Sequence, residues 1–389
     1  PDAEELAHSN KLESLIREEI ESDGPMPFSR FMERCLYAPG LGYYSAGRHK
    51  FGAQGDFVTA PELGDIFGRC LAHSFLPTLE HFGDDADIVE LGGGSGALAE
   101  TLLLALHKAG RLPRLYRMLE PSADLKQRQR ERLQATLPTE IFERVEWLER
   151  PPEQAWQGIL FANEVIDALP TTRFTLRDGE VMEEHLQLGK DQVTVVDRPA
   201  DSLVSGAVRH LERDLGESFA DGYRSELLPQ LPYWMQAIAG TLKCGVMWFI
   251  DYGYPRREFY HPERRDGTLI AHYRHHAHDD ALRWPGLQDL SASVDFTAVA
   301  EAGNQAGFMV ASYLSQAQFL IASNLEQIYS EMVIASSGEA DTYELGQQVK
   351  RLTLPGQMGD RFQVMALARE LLPEALPAEV LAASRGDRL

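Results

Sequence analysis

The chain has 389 residues, of which 44% are hydrophobic, 25% charged and 9% aromatic, and its formal net charge is −22. That is long enough for one large domain with insertions or for two domains, and the composition is that of a globular protein. So acidic a surface argues against sequence-independent binding to a phosphate backbone, which rests on clustered Lys and Arg, and is compatible with small-molecule ligands or a basic protein segment.

Leu6, Leu12, Leu15, Ile16 and Ile20 recur at helical spacing and predict a helix over 5–22. A stretch with seven glycines between Gly40 and Gly68 follows and reads as loop, then helix. Its aromatics Tyr43, Tyr44, Phe51 and Phe57 suit a lid that closes on a ligand and excludes water. Within "GDFVTAPE", Thr59-x-x-Glu62 with Pro61 is also a capping box, and Asp56 and Thr59 are the ligand contacts expected there.

From Asp87 onward, short apolar strands alternate with amphipathic helices, the pattern of a parallel α/β sheet. Strands are expected at 88–91, 115–120, 145–148, 159–162 and 246–251, with helices over 97–109 and 123–135. The interval 171–243 exceeds a simple crossover and reads as an insertion, with a hairpin over 173–188 turning at Asp178-Gly179. Beyond Asp251 come a polar, His-rich loop, a helix from Phe296 and a strand near 308–313. The expected organisation is an N-terminal helical region with the lid loop (1–85), an α/β core (86–320) and a C-terminal helical appendage (321–389).

Cys35, Cys70 and Cys244 are far apart and odd in number, which offers no disulfide framework and fits a reducing compartment. No apolar run approaches the roughly 18 residues of a membrane span. The acidic, amphipathic start is unlike a signal or transit peptide. The expectation is cytoplasmic for a bacterial chain, or the mitochondrial matrix for a mature eukaryotic one.

The first strand of the core ends in "IVELGGGSGALAE". Glycines at a strand-to-helix turn let the backbone approach a ligand and aim N–H groups at it. A dinucleotide needs G-x-G-x-x-G/A, which Gly92, Gly94 and Ala97 satisfy. An S-adenosylmethionine site carries an acidic residue two before G-x-G-x-G, which Glu90, Gly92, Gly94 and Gly96 satisfy. Charge favours the second: a carboxylate repels a pyrophosphate but favours the donor's sulfonium and ammonium. Glu120, closing the second strand, is placed for ribose hydroxyls in either case. A turn that only packs a helix on the sheet is the remaining alternative.

The segments "FMERCLYAPGLGYY", "FGAQGDFVTAPELGDIFG", "VELGGGSGALAE", "NEVIDALP", "IDYGY", "LRWPGLQDLSASVDF" and "RLTLPGQMGDRFQVMAL" occur in this order over 31–367. Together they resemble the MidA-like methyltransferases, which include mitochondrial protein arginine methyltransferases that assist assembly of respiratory complex I. The resemblance implies a class I methyltransferase (Rossmann-like) fold, S-adenosylmethionine as cofactor and, for some members, a protein arginine as acceptor. It places the cofactor loop on Glu90, Gly92, Gly94 and Gly96, the ribose carboxylate on Glu120, and the fourth-strand motif on Asn163, Glu164 and Asp167, with Asn163 counted toward the donor. One departure is Ser293, where members commonly carry histidine before Val-Asp-Phe; it is given no role.

Methyl transfer is an in-line displacement that needs orientation, desolvation and proton management. Glu164 and Asp167 lie three apart, which on a helical turn gives one face, after a strand whose carboxyl end borders the ligand crevice. Two carboxylates there can grip a planar guanidinium and accept its proton, so these are the expected catalytic residues. The bland alternative is that Asn163 or Asp167 caps a helix and Glu164 is solvated. Asp251 and Tyr252 line the acceptor pocket or merely pack. His272, His275, His276 and His278 match no zinc spacing and read as a solvated loop, with no metal expected. The "RQRER" run at 128–132 reads as a solvated helix face. The expected partner is a protein substrate, a complex I subunit by the resemblance, with no nucleic acid and no membrane span. The rival readings are a donor-binding assembly chaperone without catalysis and a nucleotide-dependent oxidoreductase.

Overall fold

The computed structural model describes residues 1–46, 59–190 and 192–389, which form two compact units, each built from discontinuous segments. One consists of Val58–Val165, Pro232–Gly253 and Phe296–Leu389, the other of Pro1–Phe57, Ile166–Leu231 and Tyr254–Asp295.

The first-named unit is organised by a sheet whose strands, numbered in chain order, are β1 (Asp87–Leu91), β2 (Leu115–Leu119), β3 (Val145–Leu148), β4 (Trp156–Asn163), β5 (Leu242–Tyr254), β6 (Met309–Ser315) and β7 (Phe362–Arg369). Their order across the sheet is β3-β2-β1-β4-β5-β7-β6. The pairings from β3 to β5 are parallel, and β7 runs antiparallel to both β5 and β6. The central strands are buried on both faces, and β1 is buried at every position. That explains why they read as nearly continuous apolar runs. Gly158 is a condition of the β1–β4 pairing. Its φ is +131°, and a Cβ there would lie 2.1 Å from the carbonyl oxygen of Asp87. Because the chain goes from β1 outward to β3 and then returns to β4, the strand order reverses between β1 and β4. In open α/β sheets ligands bind beyond the carboxyl ends at such a point.

Helices Asp65–Phe82 and Ala97–Lys108 close over the sheet around Phe75, whose ring meets Phe161 of β4 at 5.5 Å and Trp248 of β5 at 6.3 Å. The expected C-terminal appendage is corrected here. Helices Gln316–Ala322, Leu325–Ala335 and Glu339–Thr353 contribute to the same core, and β7 is inserted between β5 and β6.

The other unit begins with helix Ala3–Asp23, capped by Asp2 with Glu5 reciprocating. The chain then adds Met26–Pro27 as a strand onto Glu180–Leu188, about 160 positions later in the sequence. This long-range pairing is why a boundary near 85 does not describe the molecule. Thr172–Arg177 and Glu180–Leu188 form the expected hairpin, with Asp178 (φ +50°) and Gly179 (φ +80°) in a tight two-residue turn. Arg224–Leu227 and Val193–Pro199 complete that sheet. A second, three-stranded sheet contains His276–His278, Ile270–Tyr273 and Asp289–Ser291. The His-rich segment is therefore a hairpin rather than a loop, turning at Arg274 and His275, both with positive φ.

Candidate donor site

Glu90 is the last charged residue of β1, only 2% exposed, and its Oε2 accepts a 2.8 Å hydrogen bond from the Tyr116 hydroxyl of β2. Burial raises its pKa to about 8; the Tyr116 bond opposes this and the Glu120 carboxylate adds to it. The backbone then turns sharply: Gly92, Gly94 and Gly96 all lie in the left-handed region, with φ of +64°, +52° and +84°. Gly93 presses against its surroundings. A Cβ there would fall 2.2 Å from Met118 Cε and 3.4 Å from Glu90 Oε2. The loop thus lies directly over the buried carboxylate, and helix Ala97–Lys108 starts from it.

Glu120 follows β2 and is buried. Its Oε1 accepts from the backbone N–H of Ser122 (2.9 Å) and its Oε2 from Gln129 Nε2 (3.2 Å). Gln129 is a residue that sequence reasoning missed. It is fully buried in the middle of "RQRER" on helix Ala123–Thr136, while the arginines around it are surface groups. Ser95 of the glycine loop donates to Glu62 Oε1. The expected capping box is accordingly absent: Thr59 is the N-cap of Ala60–Leu63, but no side-chain capping bond forms, and Glu62 is engaged by Ser95 instead.

Asn163 ends β4, next to β1 in the sheet. Its Nδ2 donates to Glu164 Oε1 (3.1 Å), and its Oδ1 is buried without a hydrogen-bond partner among the described residues. Glu164 does not begin a helix, which corrects the expected helical turn. Its φ is +54°, its N–H donates to the Ile250 carbonyl of β5 (2.9 Å), and the chain continues through a bend into a turn closed by Leu169 N–H to Ile166 O. A non-glycine residue held in the left-handed region is a local strain of the kind that clusters at functional sites. The unit boundary falls between Val165 and Ile166, so Glu164 belongs with the glycine loop and Asp167 to the other unit, where Asp167 is buried.

A family model described as "Putative S-adenosyl-L-methionine-dependent methyltransferase" matches residues 70–314. The chain belongs to this methyltransferase family. It is also similar to a Burkholderia thailandensis protein whose crystal structure contains S-adenosyl-homocysteine, at 35% identity and TM-score 0.90, over 100% of this chain and 99% of that one. Among curated proteins it is similar to the mitochondrial protein arginine methyltransferase NDUFAF7 of Homo sapiens, 26% identical over 90% of this chain and 81% of the relative. The Drosophila melanogaster homolog of that protein is 27% identical over 94% and 87%.

The methyltransferase therefore uses S-adenosylmethionine, and the residues fit such a molecule. Two buried carboxyl groups at the ends of adjacent strands suit an ammonium and ribose hydroxyls, and a cation beside Glu90 favours its charged form. A glycine loop lies against one of them, and the Asn163 amide oxygen, buried without a hydrogen-bond partner among the described residues, stands at the end of the neighbouring strand. The dinucleotide alternative is set aside by the family match and by the similarity to a protein crystallised with S-adenosyl-homocysteine. Asp56, Phe51 and Phe57 lie outside the described residues. Tyr43 and Tyr44 do not form a lid surface: they pack edge to face at 5.1 Å in the core of their unit, with the Tyr44 hydroxyl on Asp289 (2.9 Å). Tyr252 packs against Phe362 at 5.5 Å, which favours the packing alternative for it. Among the described residues no group of three or more His, Cys, Asp or Glu is arranged to hold a metal ion, and no helix is long and apolar enough to cross a membrane.

Proposed function

We propose that the enzyme methylates an arginine of a protein substrate. Glu90, Gly92, Gly94, Gly96, Glu120 and Asn163, with Asp56 and Thr59, hold the donor, and Glu164 and Asp167 serve the acceptor. The relatives named as protein arginine methyltransferases, which match along most of the chain, are the observation that carries the acceptor class. A respiratory complex I subunit is the first substrate to test, by the family resemblance, and a reducing compartment, cytoplasm or matrix, is the proposed location. The net charge of −22 is consistent with attraction of a basic segment.

The bound donor supplies an electrophilic methyl group. An arginine nitrogen forms the new C–N bond as the S–C bond breaks, S-adenosylhomocysteine leaves, and that nitrogen gives up one proton. In this reading Glu90 faces the donor's positive charge and Glu120 accepts from the ribose hydroxyls. Asn163 Oδ1 accepts one donor N–H, and Glu164 pairs with the guanidinium and takes the proton directly or through water. Support for Glu164 comes from its strained backbone and its bond from Asn163. Asp167 is proposed on its place in the motif that the family resemblance singles out.

The test is incubation with radiolabelled donor and a proteome from cells lacking the gene, followed by mass spectrometry of the labelled residue. Label on arginine, much reduced by Glu164→Gln and by Asp167→Asn at unchanged donor affinity, is the expected result. Label on another residue type overturns the acceptor class, and tight donor binding with no labelled protein favours the assembly-chaperone reading.

A further inference from the structure

Gln129 connects three parts of the donor site, and no account of a solvated helix face explains its burial. Its Oε1 accepts from the indole N–H of Trp147 on β3 at 3.0 Å. Indole Nε1 can only donate, so the amide orientation is fixed: the oxygen faces Trp147 and the NH2 group faces the site. That group donates to the Gly94 carbonyl at 2.9 Å and to Glu120 Oε2 at 3.2 Å. A single buried amide therefore ties the glycine loop, the β2 carboxylate and β3 together.

We infer that Gln129 is a positioning residue of the donor site, which sets Glu120 and the glycine loop in register for the donor's ribose; this rests on the reading of Glu120 as the ribose carboxylate. The loop needs such an anchor. Its positive-φ glycines are conformationally permissive, and apart from Ser95 they have no side chains to hold them in place. Glu120 needs one too. The Ser122 N–H fixes one oxygen, and the Gln129 amide fixes the other, so the plane of the carboxylate is set before a ligand arrives. The sequence around Gln129 agrees with this role. Arg128 pairs with Asp124 at 3.1 Å and Arg130 stacks over Trp147 at 4.8 Å, while Arg132, which pairs with Glu100 at 2.6 Å, also donates to the Ser95 hydroxyl of the glycine loop at 3.5 Å, so Gln129 lies beside a second contact from its own helix to that loop.

The experiment compares binding of S-adenosylhomocysteine and its 2′,3′-dideoxyribose analogue by calorimetry, using the full chain with Gln129→Met and Trp147→Phe. The wild type should prefer the natural ligand by about tenfold or more, as expected for lost hydrogen bonds to a charged acceptor. Gln129→Met should reduce that preference to about twofold or less, and Trp147→Phe should leave an intermediate preference. A merely structural role for Gln129 would lower the melting temperature while leaving the ribose preference intact, and that result overturns the inference. If Gln129→Met does not fold, Trp147→Phe decides: an unaltered preference overturns the inference and a reduced one supports it. A wild type that does not discriminate between the ligands instead refutes the ribose reading of Glu120, and the inference falls with it.

Discussion

Glu90 offers the sharpest quantitative test, because its carboxyl is buried and, among the described residues, has no stronger partner than a tyrosine hydroxyl, with another carboxylate nearby. Its pKa is about 8 in the folded protein against 4.5 as the ordinary value. Between those two values the folded state holds a proton that the unfolded state has released. Stability therefore falls as pH rises from 4.5 to about 8, and the cost is absent below 4.5 and constant above 8. Glu90→Gln, which is neutral throughout and can still accept from Tyr116, should be more stable than wild type by an amount that grows by about 1.4 kcal/mol per pH unit across this window. The advantage should be near zero at pH 4.5, roughly 3 kcal/mol at pH 7 and about 5 kcal/mol above pH 8, treated as upper values. Denaturant unfolding without ligand at several pH values measures it. Binding of a cation beside Glu90 should reverse the balance by drawing off the proton. Calorimetry of S-adenosylmethionine near pH 7, in buffers of different ionisation enthalpy, should then show release of up to one proton, lost in Glu90→Gln together with donor affinity. A pH-independent stability difference, or donor binding without proton release, would refute the reasoning.

Gly158→Ala should destabilise by about 3 kcal/mol or more, because a Cβ would strike backbone of β1 rather than a movable side chain; melting with and without donor reads it. Glu120→Ala should weaken S-adenosylhomocysteine roughly tenfold to a hundredfold in a binding titration while leaving the apo fold intact. Glu164→Gly, which relieves a left-handed backbone, should raise stability by roughly 0.5–1 kcal/mol while abolishing most arginine labelling. An unchanged labelling rate would remove Glu164 from the acceptor site.

Strands β1, β4 and β5 were legible because they are buried along most of their length, and β2 and β3, only partly buried, because each is a short run rich in apolar residues bounded by a helix or a recognisable turn. The Asp178-Gly179 hairpin was legible because that dipeptide supplies both positive φ values the turn requires. What escaped was whatever depended on pairing between distant segments. "FQVMALAR" is an ordinary apolar strand sequence, but nothing local says that it enters between β5 and β6, so its sequence reads as part of an appendage. Likewise Met26-Pro27 gives no hint that its partner is Leu186. Thr59-x-x-Glu62 carried the right residues for a capping box, and the box failed because Ser95, 33 positions on, offers Glu62 a different partner.

The residues proposed for the donor stand out in the sequence for a related reason. In a parallel sheet the ligand crevice borders the carboxyl ends of the strands, so the candidates Glu90, Glu120 and Asn163 each appear beside an apolar run that locates them. Gln129 has no such marker. It is polar, surrounded by arginines and glutamate, and on a helix whose charged residues dominate its average, so hydropathy assigns it to water. Only the coincidence of an indole N–H, a loop carbonyl and a carboxylate around one amide reveals that it is interior. The carboxylates proposed for the acceptor differ in this respect. The spacing of Glu164 and Asp167 assumed a helical turn, but the positive φ at Glu164 breaks that geometry at its first residue, so a three-residue separation no longer implies a shared face. The motif keeps its chemical content, two acids after an amide, while its geometric meaning has to come from the backbone.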